Sequence, residues 1–385
     1  MLYSVIGLMS GSSMDGLDIV YVQFNKNSGK WTYEILNSDC YPYPGVWVEK
    51  LSSAANLSAL DYLRLHSAYG HYLGSLVNRF INENNLQYKV QLIGSHGHTV
   101  FHVPEEKMTS QLGDGAAIAA TTGINVISDL RSMDIAFGGQ GAPIVPIGER
   151  LLFTDQPLFL NLGGIANISA HRQPGPGGSD ERESGSKDCV AFDICPANRV
   201  LNLLASHVGK IFDEGGVLAG LGAVNEELLA VLNAQQYYFK PYPKSLANNF
   251  GTDTIYPIIR DFGCTIPDAL RTYTEHICIQ VSLAIENIIS QFSFDPVEQQ
   301  GQAVSLMVTG GGAFNLFLIN RLKELVRKFG LKIIVPEDQI VKFKEAIIMA
   351  LMAALRWREE SNVLSSVTGA VHDSIGGAVW IGQQA

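Results

Sequence analysis

The stretch VIGLMSGSSMDGLDIVYVQF, Val5–Phe24, reads as two apolar runs joined by a turn of Ser, Gly and Asp. The turn leads into DIVYVQF, which has strand character. The loop of P-loop nucleotide-binding proteins instead carries Gly-Lys-Ser/Thr and leads into a helix, and the glycine turn of a dinucleotide-binding unit also opens a helix. The figure recurs in PLFLNLGGIANISA, Pro157–Ala170, where two apolar runs flank Gly163 and Gly164. Each half therefore opens with strand, glycine turn and strand, which predicts a duplicated α/β domain.

The bulk numbers agree with two lobes. A chain of 385 residues is long for one core and suits two domains. With 46% hydrophobic and 17% charged residues and a mean hydropathy of +0.12, a packed globule is expected. The net charge of −10 argues against a nucleic-acid partner, whose affinity rests on clustered Lys and Arg. No apolar run approaches the roughly 18 residues that a membrane span needs, and the five cysteines follow no ligand spacing, so reduced thiols and a cytoplasmic location are expected.

Periodicity predicts helices over about 59–84, 115–122, 273–291, 316–329 and 344–359, with strands at VQLIGSHG, NVISD, CVAFD and VSLMVTGG. A further helix is expected from PANRVLNLLASHVG, with Pro196 in its first turn and Gly209 past its end. The stretch HRQPGPGGSDERESGSKD, His171–Asp188, has no apolar period and reads as a solvated, mobile loop.

Several residues could carry chemistry. The opening turn, Gly11, Ser12, Ser13, Met14, Asp15, Gly16, Leu17 and Asp18, offers bare backbone, hydroxyls and two carboxylates, which suits either a phosphate cradle or a well-formed hairpin turn. Gly163–Gly164 and Gly310, Gly311 and Gly312 supply two more glycine turns. Asp193 ends an apolar strand before a helix, where an acid is either a cap or a general base. His96, His98 and His102 alternate, as a metal pair on a strand would, but no third ligand follows; the wall of a polar cleft is the other reading. Asp129, Arg131, Asp134 and Gln140 suit a polyhydroxylated ligand or an ion-paired loop. Glu345 is expected in a first helical turn, with Ile347, Ile348, Leu351 and Leu355 in the core.

In order along nearly the whole chain, GLMSGSSMDGLD, SHGHTVFH, QLGDGAAIAATTGINVISDLRSMDIAFGGQGAPIVP, LNLGGIANIS, FDICPAN, VTGGGAFN and SVTGA resemble the anhydro-N-acetylmuramic acid kinases. These are a branch of the sugar-kinase, heat-shock-chaperone and actin superfamily. The resemblance implies an α/β protein of two ribonuclease-H-like (actin-like ATPase) lobes around a cleft: 1–155 with the segment 367–385 packed on it, and 156–366. It implies ATP with Mg²⁺, held by the opening turn and by the glycines at 163–164 and 310–312. The substrate would be 1,6-anhydro-N-acetylmuramic acid, opened with water and phosphorylated on O6 in peptidoglycan recycling, and a homodimer is plausible.

By position, the resemblance makes Asp193 the base and Glu345 a second carboxylate of the active site. His98, Asp129, Arg131, Gln140 and Asn198 become candidates for the sugar. Two motifs depart from the family's common pattern. Asp-Thr-Gly-Pro-Gly-Asn reads Asp193-Ile-Cys-Pro-Ala-Asn198, and His-Gly-Gln reads His96-Gly-His98. A kinase of an ordinary reducing amino sugar is the rival reading, and an ATP-switched chaperone-like or filament-like module is a distant one.

Overall fold

Val5–Phe24 forms the expected hairpin: β1 (Leu2–Ser10) pairs antiparallel with β2 (Gly16–Asn27), Ser10 opposite Leu17. The computed structural model describes residues 1–11, 14–172, 189–242, 244–247, 249–291 and 304–383. Ser12, Ser13 and residues 173–188 of the expected mobile loop lie outside the described residues. The chain divides into two units, Met1–Thr154 with Phe343–Ala385, and Asp155–Lys342.

In the first unit β2 continues antiparallel into β3 (Lys30–Pro42), and β4 (Leu92–Ser95) runs parallel to β1. A hairpin of β5 (His98–Val103) and β6 (Met108–Leu112) follows, and then β7 (Asn125–Ser128), parallel to β4. The sheet order is β3, β2, β1, β4, β7, closed by the C-terminal strand Ala378–Trp380. The helix Ala59–Glu83 starts where the Ser58 side chain accepts from the Asp61 N–H, and it buries Leu65, Tyr69, Leu73, Val77 and Phe80. This stripe at helical spacing packs with Ile6, Leu8, Ile19 and Ile93 of the sheet.

Gly7 and Gly94 alternate with those residues and so face the other side. There a Cβ on Gly7 would stand 2.0 Å from the Ala346 carbonyl oxygen, and one on Gly94 2.4 Å from that of Met349. The helix Asp338–Trp357 thus lies directly on the first sheet. For that reason the segment belonging to the first unit begins at Phe343, not at the expected 367. Ile347, Ile348, Leu351 and Leu355 of this helix are core, as their spacing predicts.

The second unit repeats the plan with β8 (Leu158–Leu162), β9 (Ile165–His171), β10 (Cys189–Pro196), β11 (Ser305–Thr309) and β12 (Lys332–Ile334). Its order is β10, β9, β8, β11, β12; the first three are antiparallel, and β11 and β12 run parallel to β8. This is the order and sense of β3, β2, β1, β4, β7, so the duplicated ribonuclease-H-like architecture stands. The helix Ile266–Gln291 covers this sheet with Leu270, Tyr273, Ile277, Val281 and Ile285. It starts about two helical turns before the predicted 273.

Pro196 does not open a helix. It is the last residue of β10, paired with Ile165, and the helix begins at Asn198. Among the described residues no helix is long and apolar enough to cross a membrane.

Candidate functional site

In the first unit the opening turn rests on a hydroxyl cluster. Ser10, at the end of β1, accepts from the Tyr43 hydroxyl at 2.9 Å and from the Tyr69 hydroxyl at 3.0 Å, and lies 3.3 Å from His98 Nδ1. The two tyrosine oxygens are 2.6 Å apart. Burial holds His98 neutral, pulling its pKa down to about 4. The turn itself includes Met14 at φ +56°, and the Asp15 carbonyl accepts from the Tyr43 N–H at 3.3 Å.

Gly16 is required because a Cβ there would stand 2.7 Å from the Tyr41 carbonyl oxygen. Gly16, Leu17 and Asp18 belong to β2 and not to the turn, and Leu17 is core. Asp18 faces Cys40 across the β2–β3 pairing. Burial raises its carboxyl to about 7; a hydrogen bond with Cys40 opposes the shift, and the charges of Asp15 and Glu345 add to it.

The three histidines do not form one face. His96 lies before β5 and meets Arg131, His98 meets Ser10, and the exposed His102 meets Thr109 at 3.2 Å. A bulge between Thr99 and Phe101 breaks the alternation that the metal reading assumed. Arg131 donates from Nε to His96 Nε2 at 2.9 Å and from Nη1 to the Gly141 carbonyl at 2.5 Å.

Asp129, at the end of β7, is exposed at φ +56°, a conformation that costs a non-glycine residue energy and clusters at functional sites. Its carboxylate accepts from Ser132. Asp134 is fully buried, accepting from the Gly141 N–H at 2.8 Å and the Thr368 hydroxyl at 2.7 Å, so it serves the loop's shape. Gln140 leaves its side chain exposed, while its N–H donates to the Thr368 carbonyl at 2.9 Å.

Glu345 sits two turns inside the helix Asp338–Trp357, so the expected first-turn role falls to Asp338. Burial raises the Glu345 carboxyl, and the charges of Lys344 and Arg131 oppose that rise. Lys344 is itself buried and donates to Glu149 at 2.8 Å.

In the second unit the two glycine turns interlock through Asn198. Its Nδ2 donates to the Leu162 carbonyl at 2.8 Å and its backbone N–H to that of Gly163 at 3.1 Å. A Cβ on Gly311 would stand 3.5 Å from the same Nδ2, and one on Gly312 2.7 Å from Leu162 Cβ. Gly310, at φ +81°, lies where a Cβ would stand 2.4 Å from Asn161 Oδ1. Arg199 lies against Gly164, and burial lowers its pKa. The third turn does not run straight into a helix: a 3₁₀ turn, Gly311–Phe314, intervenes, and Asn315 caps the helix Leu316–Val326 by accepting from the Leu318 N–H.

Asp193 is not a helix cap. The helix Asn198–Ser206 has Ala197 at its N-cap, without a side-chain bond. Instead, Asp193 Oδ2 accepts from the Leu246 N–H at 2.8 Å, and its backbone N–H donates to the Lys244 carbonyl at 3.1 Å. Its carbonyl accepts from the Tyr237 hydroxyl at 2.7 Å. A carboxylate fixed on a strand in this way can act on a proton from one defined direction. Sequence reasoning missed Tyr43, Tyr69, Tyr237 and Leu246. Lone tyrosines and a backbone amide leave no pattern, and only the aromatic run QYYF hinted at the third.

The profile of the family described as anhydro-N-acetylmuramic acid kinase matches residues 3–382. The chain is similar to the anhydro-N-acetylmuramic acid kinase of Vibrio parahaemolyticus, with 33% identity over 95% of both chains. The kinase of that name from Shewanella sediminis is 33% identical over 97% of this chain and 98% of the relative. That from Coxiella burnetii is 32% identical over 98% of each. The chain belongs to the anhydro-N-acetylmuramic acid kinase family.

Proposed function

We propose that the protein is an ATP-dependent kinase that opens the 1,6-anhydro bridge of 1,6-anhydro-N-acetylmuramic acid and phosphorylates O6. The products are N-acetylmuramic acid 6-phosphate and ADP, formed in peptidoglycan recycling. The observation that carries this reading, beside family membership, is the hold on Asp193: a strand carboxylate bound by the Leu246 N–H and released from any capping duty.

In the proposed reaction Asp193 takes one proton from a water whose oxygen bonds to C1. The C1–O6 bond breaks, and O6 bonds to the γ-phosphorus as the bond to the ADP oxygen breaks. The glycine turns at 163–164 and 310–312 suit the nucleotide, because they offer it bare backbone, and at Gly310 and Gly312 a side chain would collide with Asn161 and Leu162. Arg199 beside Gly164 offers a cation for the phosphates.

Mg²⁺, when bound, would offset phosphate charge; Asp15 in the opening turn and Asp18 on β2 are the carboxylates that suit it. The family resemblance makes Glu345 a second carboxylate of the active site, and the Arg131 charge acts on it. His98, Asp129, Arg131 and Gln140 are the residues assigned to the sugar, while the bonds of Asn198 assign it to bracing the glycine turns. The five free thiols suit a cytoplasmic enzyme, and the family resemblance supports a homodimer.

The test is a kinase assay with ATP, Mg²⁺ and the anhydro sugar in oxygen-18 water. A phosphosugar with label at C1 is expected. Equal use of the reducing sugar, with no label entering from water, would favour the simpler kinase, and no phosphosugar from any amino sugar would refute the proposal.

A further inference from the structure

Strand pairing sets four polar side chains in one row of the second unit. Asp193 on β10 pairs with Asn167 on β9, Asn167 with Asn161 on β8, and Asn161 with Thr309 on β11. Paired residues share a face of the sheet. The flanking Phe192, Ile194, Ala166, Ile168, Leu160 and Leu162 all belong to the buried core, so the row stands on the opposite face. At about 4.8 Å per strand it runs about 14 Å from Asp193 to Thr309.

The ends of the row differ. Thr309 precedes the Gly310–Gly312 turn, and its buried hydroxyl has no hydrogen-bond partner among the described residues. A buried polar group without a partner is costly and needs an explanation, which a ligand on the glycine turn would supply. At the other end Asn167 stands directly opposite Asp193. It is half-buried, and no hydrogen bond within the described residues takes up its carboxamide. Directly opposed residues have Cβ atoms about 5 Å apart, so one oxygen atom can bridge the two side chains.

We propose that Asn167 contacts the nucleophile of the reaction: its Oδ1 accepts the water proton that is not transferred, while Asp193 takes the other. Water attacking C1 has two protons to direct, and a carboxylate directs only one. A carboxamide oxygen beside it fixes the second and turns a lone pair toward C1. This assignment rests on the proposed bridge-opening reaction.

The test compares the wild type with Asn167→Ala and Asn167→Asp in the oxygen-18 kinase assay, with thermal unfolding and ATP affinity measured beside it. Asn167→Ala should lower kcat 10- to 100-fold while leaving ATP affinity and the melting temperature close to wild type. Asn167→Asp keeps an acceptor oxygen and should recover part of the loss. Asn167→Ala with wild-type kcat and sugar KM overturns the assignment while the reaction stands. A wild type that places no label at C1 removes both.

Discussion

Arg131 donates to His96 through Nε at 2.9 Å, which fixes the imidazole as much as the guanidinium. Nε2 must offer a lone pair, so the proton lies on Nδ1, which donates to the Gly97 carbonyl at 2.9 Å. Full burial, aided by the Arg131 charge, pulls the His96 pKa down to about 3. The ring is a neutral acceptor throughout the working pH range, and it aims an arginine whose charge acts on Glu345.

Replacing His96 by Phe leaves a half-buried Arg131 N–H without its acceptor. A stability loss of about 1–3 kcal/mol is expected, with a fall in turnover. His96→Gln keeps an acceptor oxygen and should recover part of both. Because His96 does not titrate between pH 5 and 9, the shape of the pH–rate profile should be the same in His96→Gln and wild type. A profile measured over that range checks it, and loss of a limb near pH 6.5 would contradict the neutral assignment.

Asp18 makes stability depend on pH in the opposite sense to most carboxylates. Its folded pKa, near 7, lies above the unfolded value of 3.8. Between those values the native state holds the extra proton, so stability falls as pH rises from about 4 to 7. Asp18→Asn removes that cost. Its melting temperature should exceed that of wild type at pH 8 and match it near pH 4, which calorimetry at the two pH values would show.

The strand–turn–strand openings of both units were legible because period-two apolar runs and glycine turns are local signals. So was the core stripe from Ile347 to Leu355. Asp193 was misread as a possible cap because the distinction depends on where the helix starts, and β10 runs on to Pro196, which pairs with Ile165. The boundary at Phe343 escaped for a similar reason: the glycines that admit its helix, Gly7 and Gly94, lie some 250 or more residues away in sequence. Asn167 opposite Asp193 depends on register between strands, which neither segment encodes alone.

Lys344 and Glu149 form an ion pair with both side chains 3% exposed. Removing one partner takes the counter-ion from a buried charge, and Lys344→Met should cost about 3–5 kcal/mol in denaturant unfolding. Adding Glu149→Leu should recover most of that loss, since two apolar groups replace two matched charges. Turnover should not recover with it. Lys344 also opposes the burial-driven rise of the Glu345 carboxyl, and by more than Glu149 adds to it, so the double variant should show its acid limb at higher pH than wild type. An unshifted limb would confine the pair to stability.

Two changes in the second unit should separate nucleotide binding from proton transfer. Gly310 at φ +81° would place a Cβ 2.4 Å from Asn161 Oδ1, so Gly310→Ala is strained in backbone and in space alike. It should weaken ATP binding about 5- to 150-fold, since rebuilding the turn costs of order 1–3 kcal/mol. Asp193→Asn, in contrast, keeps an oxygen for the Leu246 N–H and leaves the Tyr237 bond to the backbone untouched. Its fold and ATP affinity should match wild type while turnover falls by orders of magnitude, about 10²–10⁴ for the loss of a positioned base. Calorimetric ATP titration alongside the kinase assay reads both variants. Near-normal turnover in Asp193→Asn would remove it as the base, whatever Gly310→Ala does.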